Sequence, residues 1–163
     1  MNINTNDHII MTKINKRQIE VKEMTLNLGI QQRLNISDSR INYIINYIKT
    51  YSKSPEDVCG ILKEIPLNFK GDEKYFAVYI VSLFIIHHSD QLKKEKQDIF
   101  LDDIWHNVAQ CFGFDLDHLL DILGDLLTKK DTLVEVINRP FSENEKIVLL
   151  FLYYISMLGS LRR

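Results

Sequence analysis

The chain has 163 residues, of which 45% are hydrophobic and 26% are charged, and its formal net charge at neutral pH is −2. This length and composition suffice for one domain that buries most of its apolar surface without disulfide bonds or a structural metal ion. The near-neutral charge argues against a binder of nucleic acid backbones, which needs a broad basic surface. With only three prolines and six glycines, the composition favours helices.

The first part of the chain, residues 1–36, is rich in Asn, Thr and Lys and keeps no single apolar period. Leu26 and Leu28 alternate as in a strand, whereas Met24 and Leu28 are spaced as in a helix. We therefore treat residues 1–36 as an N-terminal arm that is either partly disordered or docked on the rest. Residues 37–163 are the predicted helical domain.

Amphipathic helices are predicted directly after the arm. Ile41, Ile44 and Ile48 would form one apolar face after a Ser-Asp-Ser sequence suited to capping a helix. The next helix has Ser54 as its predicted N-cap, and Pro66 is expected to mark its end.

Two later helices are apolar on nearly every side and are therefore predicted to lie at the centre of the fold. They cover residues 73–88 and 143–158. Ser142 and Glu145 would form a capping box for the second of them, and Gly159 would cap its C-terminus. The remaining helices are predicted at residues 94–112, 115–128 and 133–137.

The fold prediction is thus all-α, a compact bundle of about six helices around two central apolar ones. Six large side chains spread over these helices are expected to be largely buried in its core. They are Ile80, Phe84, Trp105, Leu120, Leu150 and Tyr154.

The two cysteines, Cys59 and Cys111, lie far apart in the sequence and form no paired-cysteine metal motif. Neither a zinc site nor a disulfide framework is therefore predicted, and an apolar environment would keep the thiol of Cys111 protonated. The N-terminus lacks the apolar segment of a secretion signal, and the longest apolar run, residues 75–86, is too short to cross a bilayer. These features predict a cytosolic protein without a membrane span.

The segment HHSDQLKKEK, which starts at His87, is the strongest candidate for metal chemistry. His88, Asp90 and Glu95 carry imidazole and carboxylate groups, the usual ligands of zinc or a related ion. Adjacent helical residues point about 100° apart, so His87 and His88 cannot face one ion on an intact helix. The lysines of this segment would also repel a cation. We favour a helix that ends at His88 and a solvated connection, and keep His88, Asp90 and Glu95 as the alternative metal site.

Other catalytic patterns are weaker. Asp103 and His106, like Asp115 and His118, share a helix face, but a di-iron bundle would need further inward-facing glutamates. The sequence has no Gly-rich phosphate loop, no Gly-x-Ser-x-Gly and no His-Glu-x-x-His. Neither catalytic residues nor a cofactor are therefore predicted. The tyrosines of the two central helices are interpreted as core, with a ligand cavity as the alternative.

Three segments together resemble the TerB-like family of small all-helical domains, which is associated with tellurite resistance and bacterial stress responses. They are IIHHSDQLKKEKQDIF, VAQCFGFDLDHL and NRPFSENEKIVLLFLYYISM. Asp90, Leu92 and Glu95 would occupy the positions of the family's acidic loop between two helices. The Gly-Phe-Asp that begins at Gly113 matches a later signal of the family.

The resemblance implies an all-helical fold and a role within a larger system. Gln91 stands where the family has glycine, and Lys93 and Lys94 replace acids, which argues against the family's proposed metal binding here. The functional prediction is a non-enzymatic interaction or regulatory domain in a bacterial stress or defence system. It would act on a protein partner or as a homo-oligomer. The alternative is a metal- or small-molecule-binding domain that uses the loop after the first central helix.

Overall fold

A computed structural model describes residues 29–51, 58–93 and 100–161, with side chains for all of these except 88–93, 100–102 and 160–161. Every regular element within these residues is an α-helix, which confirms the all-α class. A helical segment at residues 29–34 comes first. The helices that follow are α1 (Asp38–Tyr51), α2 (Val58–Asn68), α3 (Asp72–Lys93), α4 (Phe100–Phe112), α5 (Leu116–Leu127), α6 (Thr132–Asn138) and α7 (Glu143–Leu161).

Helices α3 and α7 form the centre of the fold, as predicted, and share the largest helix–helix contact in the described part of the chain. Every side chain of residues 75–82 in α3 and of residues 147–152 in α7 is buried. The surrounding helices bury only one stripe each, as α1 does with Ile41, Ile44 and Ile48. A helix that is apolar all round requires neighbours on every side, which these outer helices supply.

The predicted core is only partly right in its details. Ile80, Leu150 and Tyr154 are buried, whereas Phe84, Trp105 and Leu120 are partly buried and pack against the edge of the core. Periodicity identifies the helix face of a residue, but the depth of burial depends on which neighbouring helix covers it.

The predicted helix starts are confirmed where the structure describes them. The backbone N–H of Ser142 donates to Glu145 Oε1 at 2.9 Å, and the N–H of Glu145 donates to Ser142 Oγ at 3.1 Å, which completes the capping box of α7. Ser37 caps α1, since its Oγ accepts the N–H of Arg40 at 3.4 Å. The predicted N-cap of α2, Ser54, lies outside the described residues.

Two predicted helix ends are wrong. Helix α2 contains Pro66 and ends at Asn68. A proline removes one backbone hydrogen bond, which disrupts little of a helix that ends two residues later. Helix α7 continues through Gly159 to Leu161. A helical glycine costs only about 1 kcal/mol relative to alanine, so Gly159 permits a helix end without requiring one.

The arm is docked where the structure describes it, and residues 1–28 lie outside the described residues. Ile30 and Leu34 are buried in the core. Arg33 Nε donates to Asp131 Oδ2 at 2.5 Å, which ties the arm to the residue that caps α6. Residues 29–36 therefore pack as part of the helical domain.

Tyr154 places a hydroxyl group in the centre of the core. Its ring meets that of Tyr79 edge-on, with the centroids 5.2 Å apart. The Tyr154 hydroxyl has no hydrogen-bond partner among the described residues, and burial raises its pKa well above the ordinary value. An unsatisfied buried hydroxyl is destabilising because it has lost its water without compensation.

Tyr154→Phe should therefore leave stability unchanged or raise it by about 1 kcal/mol. Tyr75→Phe is the matched control, because the Tyr75 hydroxyl donates to Glu143 Oε1 at 2.9 Å and its loss should cost about 1 kcal/mol. Urea unfolding of both variants measures the two free energies. A clear loss of stability in Tyr154→Phe would show that its hydroxyl is paired in solution.

The first turns of α3 and α7 are joined by a charge cluster around Glu143. Lys74 Nζ lies 2.5 Å from Glu143 Oε1, which also accepts the Tyr75 hydroxyl. Burial acts to raise the pKa of Glu143, but the hydrogen bonds from Lys74 and Tyr75 and the charges of Lys74 and Lys146 outweigh it. The pKa of Glu143 therefore lies below its ordinary value of 4.5.

A lowered pKa means that ionised Glu143 stabilises the fold above about pH 4.5 and that this contribution is lost as the pH falls through the folded-state pKa. Glu143→Gln should therefore be less stable than the wild type at neutral pH, and the difference should shrink towards zero under acid conditions. Because the carboxylate is more than a third exposed, solvent screening keeps the effect small. Unfolding free energies of both proteins across this pH range test the expectation, and a constant difference would contradict it.

Candidate functional site: the tyrosine face of α1

The alternative metal site falls on residues whose side chains the structure does not describe. Helix α3 continues to Lys93, so the prediction that it ends at His88 is wrong. Residues 89–93 contain neither proline nor glycine, so this segment has no residue that strongly disfavours a helix. Positions 88 and 90 of a continuous helix lie on nearly opposite sides of its axis. Glu95 lies outside the described residues, so the site of His88, Asp90 and Glu95 stays a prediction.

The two carboxylate-x-x-histidine pairs lie on the surface. Asp103, His106, Asp115 and His118 are all exposed. Among the residues with described side chains, no group of three or more His, Cys, Asp or Glu is arranged to hold a metal ion. The Asp115 side chain instead caps α5 by accepting the N–H of Asp117 at 3.2 Å.

Cys59 and Cys111 form a disulfide bond between α2 and α4, with their Cα atoms 6.4 Å apart. The prediction of no disulfide is therefore wrong, and Cys111 is not a free thiol. Beside the bond, Lys63 Nζ lies 5.7 Å from the centre of the Phe112 ring. The two cysteines are 52 residues apart, and no local pattern in the sequence indicates which helices will meet.

Reduction of this disulfide should lower the free energy of unfolding by about 4 kcal/mol, because the unfolded chain regains the entropy of a loop of this length. Cys59→Ala should have an effect of similar size, and reductant should not destabilise that variant further. Urea unfolding with and without reductant measures both effects. Two free thiols in the denatured, unreduced protein would contradict the assignment.

An open cleft of about 410 Å³ lies near the start of α3, between the arm and α1. The guanidinium of Arg40 spans it and donates to both carboxylate oxygens of Glu73, at 3.1 and 2.8 Å. This pair neutralises two of the four charged residues that line the cleft, the others being Lys70 and Asp72. The cleft also lies at the opposite end of α3 from the loop in which a small-molecule site was predicted.

The most distinctive surface of the described chain is a row of tyrosines along α1. Tyr43, Tyr47 and Tyr51 follow one another at four-residue intervals and so lie on one side of the helix. The ring centroids are 6.4 Å apart for Tyr43 and Tyr47 and 4.6 Å apart for Tyr47 and Tyr51. We call these three residues the tyrosine face.

The tyrosine face rests on the core. The ring of Phe69, which is buried, meets the edges of Tyr43 and Tyr47 at centroid distances of 6.3 and 5.2 Å. The Asn68 side-chain amide donates to the Tyr47 hydroxyl at 2.8 Å. These contacts hold Tyr43 and Tyr47 against the core, and Tyr51 packs on Tyr47, while Tyr43 and Tyr51 remain 49% and 54% exposed. Rigid and exposed aromatic groups are suited to binding, because little side-chain entropy is lost on contact.

The surroundings of the tyrosine face are polar and include the charged side chains of Arg40 and Glu64. Asn42, Asn46 and Thr50 occupy the adjoining exposed positions of α1. At one end the guanidinium carbon of Arg40 lies 4.5 Å from the centre of the Tyr43 ring. Burial, together with the negative charge of Glu64, raises the pKa of Tyr47, so Glu64 lies near this surface. Tyrosine, asparagine and threonine at the surface supply aromatic contact and adaptable hydrogen bonds.

Sequence reasoning identified the apolar stripe of α1 and missed the surface beside it. The signal is present, because Asn-Tyr-Ile occurs at residues 42–44 and again at 46–48, and Tyr51 continues the spacing. The isoleucines of this repeat face the core, whereas the tyrosines border them on the exposed side.

Comparison with known proteins gives no assignment: no family model matches the chain, and no curated protein or solved structure is significantly similar to it. Among the described helices, none combines the length and the hydrophobicity needed to cross a bilayer.

Proposed function

We propose that this chain is a non-enzymatic helical interaction domain and that it binds protein through the tyrosine face. The observation that carries the proposal is a row of tyrosine rings that is anchored on the core and still exposed: Tyr43 and Tyr47 pack on the buried Phe69, and Tyr43 and Tyr51 are about half exposed. Tyrosine is among the residues that dominate binding energy at protein interfaces. A surface without a binding role would more often carry charged residues, which make up 26% of the whole chain.

The position of α1 supports the same proposal. In the described part of the chain α1 packs chiefly on α3, so it lies at the edge of the bundle with one side uncovered. Leu67, which is 81% exposed, precedes the Asn68 that binds Tyr47. An exposed leucine is a second apolar side chain at the surface of the described residues.

The resemblance of three segments to TerB-like domains supports a role for this interaction in a bacterial stress or defence system. A cytosolic location belongs to the same proposal, and because the cytosol is reducing, this location requires that the Cys59–Cys111 bond resist reduction there. Trapping thiols with an alkylating reagent in intact cells reports this state directly.

A photo-reactive phenylalanine analogue at position 43 tests the proposed interaction in the native host. Position 134 is the matched control, because Val134 is also a partly exposed apolar residue but belongs to α6. Light should join position 43 to one defined protein and leave position 134 without a product. The captured protein, once purified, should bind the wild-type chain about tenfold or more tightly than it binds Tyr47→Ala.

Equal crosslinking from both positions, or an affinity that Tyr47→Ala leaves unchanged, would contradict the proposal. Val134→Ala serves as the reference for affinity, since it truncates an apolar side chain away from the tyrosine face.

A further inference from the structure

We infer that the Cys59–Cys111 bond is a redox site for a dithiol, which attacks the Cys111 sulfur and displaces Cys59 as the leaving thiolate. The inference goes beyond the proposed function and does not depend on the tyrosine face. Three observations carry it: the partial exposure of both cysteines, their positions at opposite kinds of helix end, and a lysine beside the bond.

The disulfide bond lies at the surface of the bundle. Cys59 and Cys111 are each partly exposed, and neither belongs to the buried core. Thiol exchange requires access to a sulfur atom, and exposed disulfides are the labile ones. We therefore expect a small thiol to reach this bond while the chain is folded.

The two sulfurs differ in the kind of helix end at which they lie. Cys59 is in the first turn of α2 as the structure describes it, and Cys111 is in the last turn of α4. The helix dipole favours negative charge near an N-terminus and disfavours it near a C-terminus. A thiolate is therefore more stable on Cys59 than on Cys111, and the more stable thiolate is the better leaving group.

Lys63 brings a positive charge to the same place. It follows Cys59 by four positions and so lies on the same side of α2. Its Nζ is 5.7 Å from the centre of the Phe112 ring, and Phe112 is the residue next to Cys111. An ammonium group beside a disulfide stabilises the thiolate that forms when the bond opens. Lys63 therefore favours opening, and the helix ends decide which sulfur leaves.

The exchange has two steps. A thiolate of the dithiol attacks the Cys111 sulfur, the Cys59–Cys111 bond breaks, and its electron pair leaves with the Cys59 sulfur. The second thiolate of the reagent then attacks the reagent's own sulfur in this mixed disulfide and releases Cys111. The two cysteines gain the two electrons and two protons that the dithiol loses, and the dithiol becomes an intramolecular disulfide.

A monothiol such as glutathione has no second sulfur with which to complete the reaction. Helices α2 and α4 are also in contact through their packing, and the two cysteine Cα atoms are 6.4 Å apart, which a disulfide spans. The Cys59 thiolate therefore stays near the mixed disulfide at Cys111 and displaces the monothiol again. The bond thus resists glutathione, as a cytosolic location requires, and still opens to a dithiol.

Dithiothreitol and glutathione, at equal thiol concentration and without denaturant, test the site in the full wild-type chain. We expect the rate of opening by dithiothreitol to rise in proportion to its concentration, while circular dichroism shows that the chain stays folded. Glutathione should leave most of the bond closed. A rate that reaches a plateau set by unfolding, or a bond that glutathione opens equally well, would overturn the inference.

Peptide mass spectrometry identifies the sulfur that is attacked, after brief exposure to glutathione and trapping of the freed thiol with an alkylating reagent. We expect glutathione on Cys111 and the alkyl group on Cys59, in about tenfold or greater excess over the reverse product. Equal amounts of the two products, or an excess of the reverse one, would show that Cys59 is not the preferred leaving group.

Lys63→Gln should slow the opening by dithiothreitol about threefold or more, because the charge that stabilises the departing thiolate is lost. Lys70→Gln is the matched control, since Lys70 is also an exposed lysine but lies beyond the end of α2, and its rate should equal that of the wild type. Thermal melting of both variants establishes that each is folded. A wild-type rate in folded Lys63→Gln would remove Lys63 from the site.

Discussion

The mutual burial of α3 and α7 is the constraint on which the rest of the structure depends. Both helices are buried on nearly every side, so each outer helix is needed to cover part of their apolar surface. The buried polar residue Ser82 forms its hydrogen bond within α3, because its hydroxyl donates to the Val78 carbonyl at 2.9 Å. A core built in this way tolerates outer helices that carry quite different exposed surfaces, and α1 can carry tyrosines for that reason.

Interactions between residues close in the sequence could be predicted, whereas contacts between residues far apart in the sequence could not. The capping box of Ser142 and Glu145 and the apolar stripe of α1 depend on residues at most one or two turns apart. The bond between Cys59 and Cys111 depends on how α2 and α4 pack, which no local pattern encodes. Helix ends fall between these cases, because Pro66 and Gly159 weaken a helix but tertiary contacts decide where it stops.

The same difference between local and long-range interactions holds for the candidate site. The tyrosine spacing is visible in the sequence. The packing of the rings on the core depends on Phe69, which follows α2 and contacts Tyr43 and Tyr47. The contact with Phe69 links Tyr43 and Tyr47 to the junction between α2 and α3, so a change in the packing of that junction would alter the tyrosine face directly.

The Cys59–Cys111 bond also gives the chain an unusual connectivity. It closes a covalent ring that contains all of α3, whereas α1 and α7 are attached outside the ring as linear branches. A protease that cuts the backbone once within the ring leaves a single molecule of unchanged mass apart from one added water. A cut between the ring and α7 releases the partner of α3 from any covalent restraint. The same enzyme would therefore leave the molecule in one piece when it cleaves between Cys59 and Cys111, and would divide it when it cleaves outside that segment.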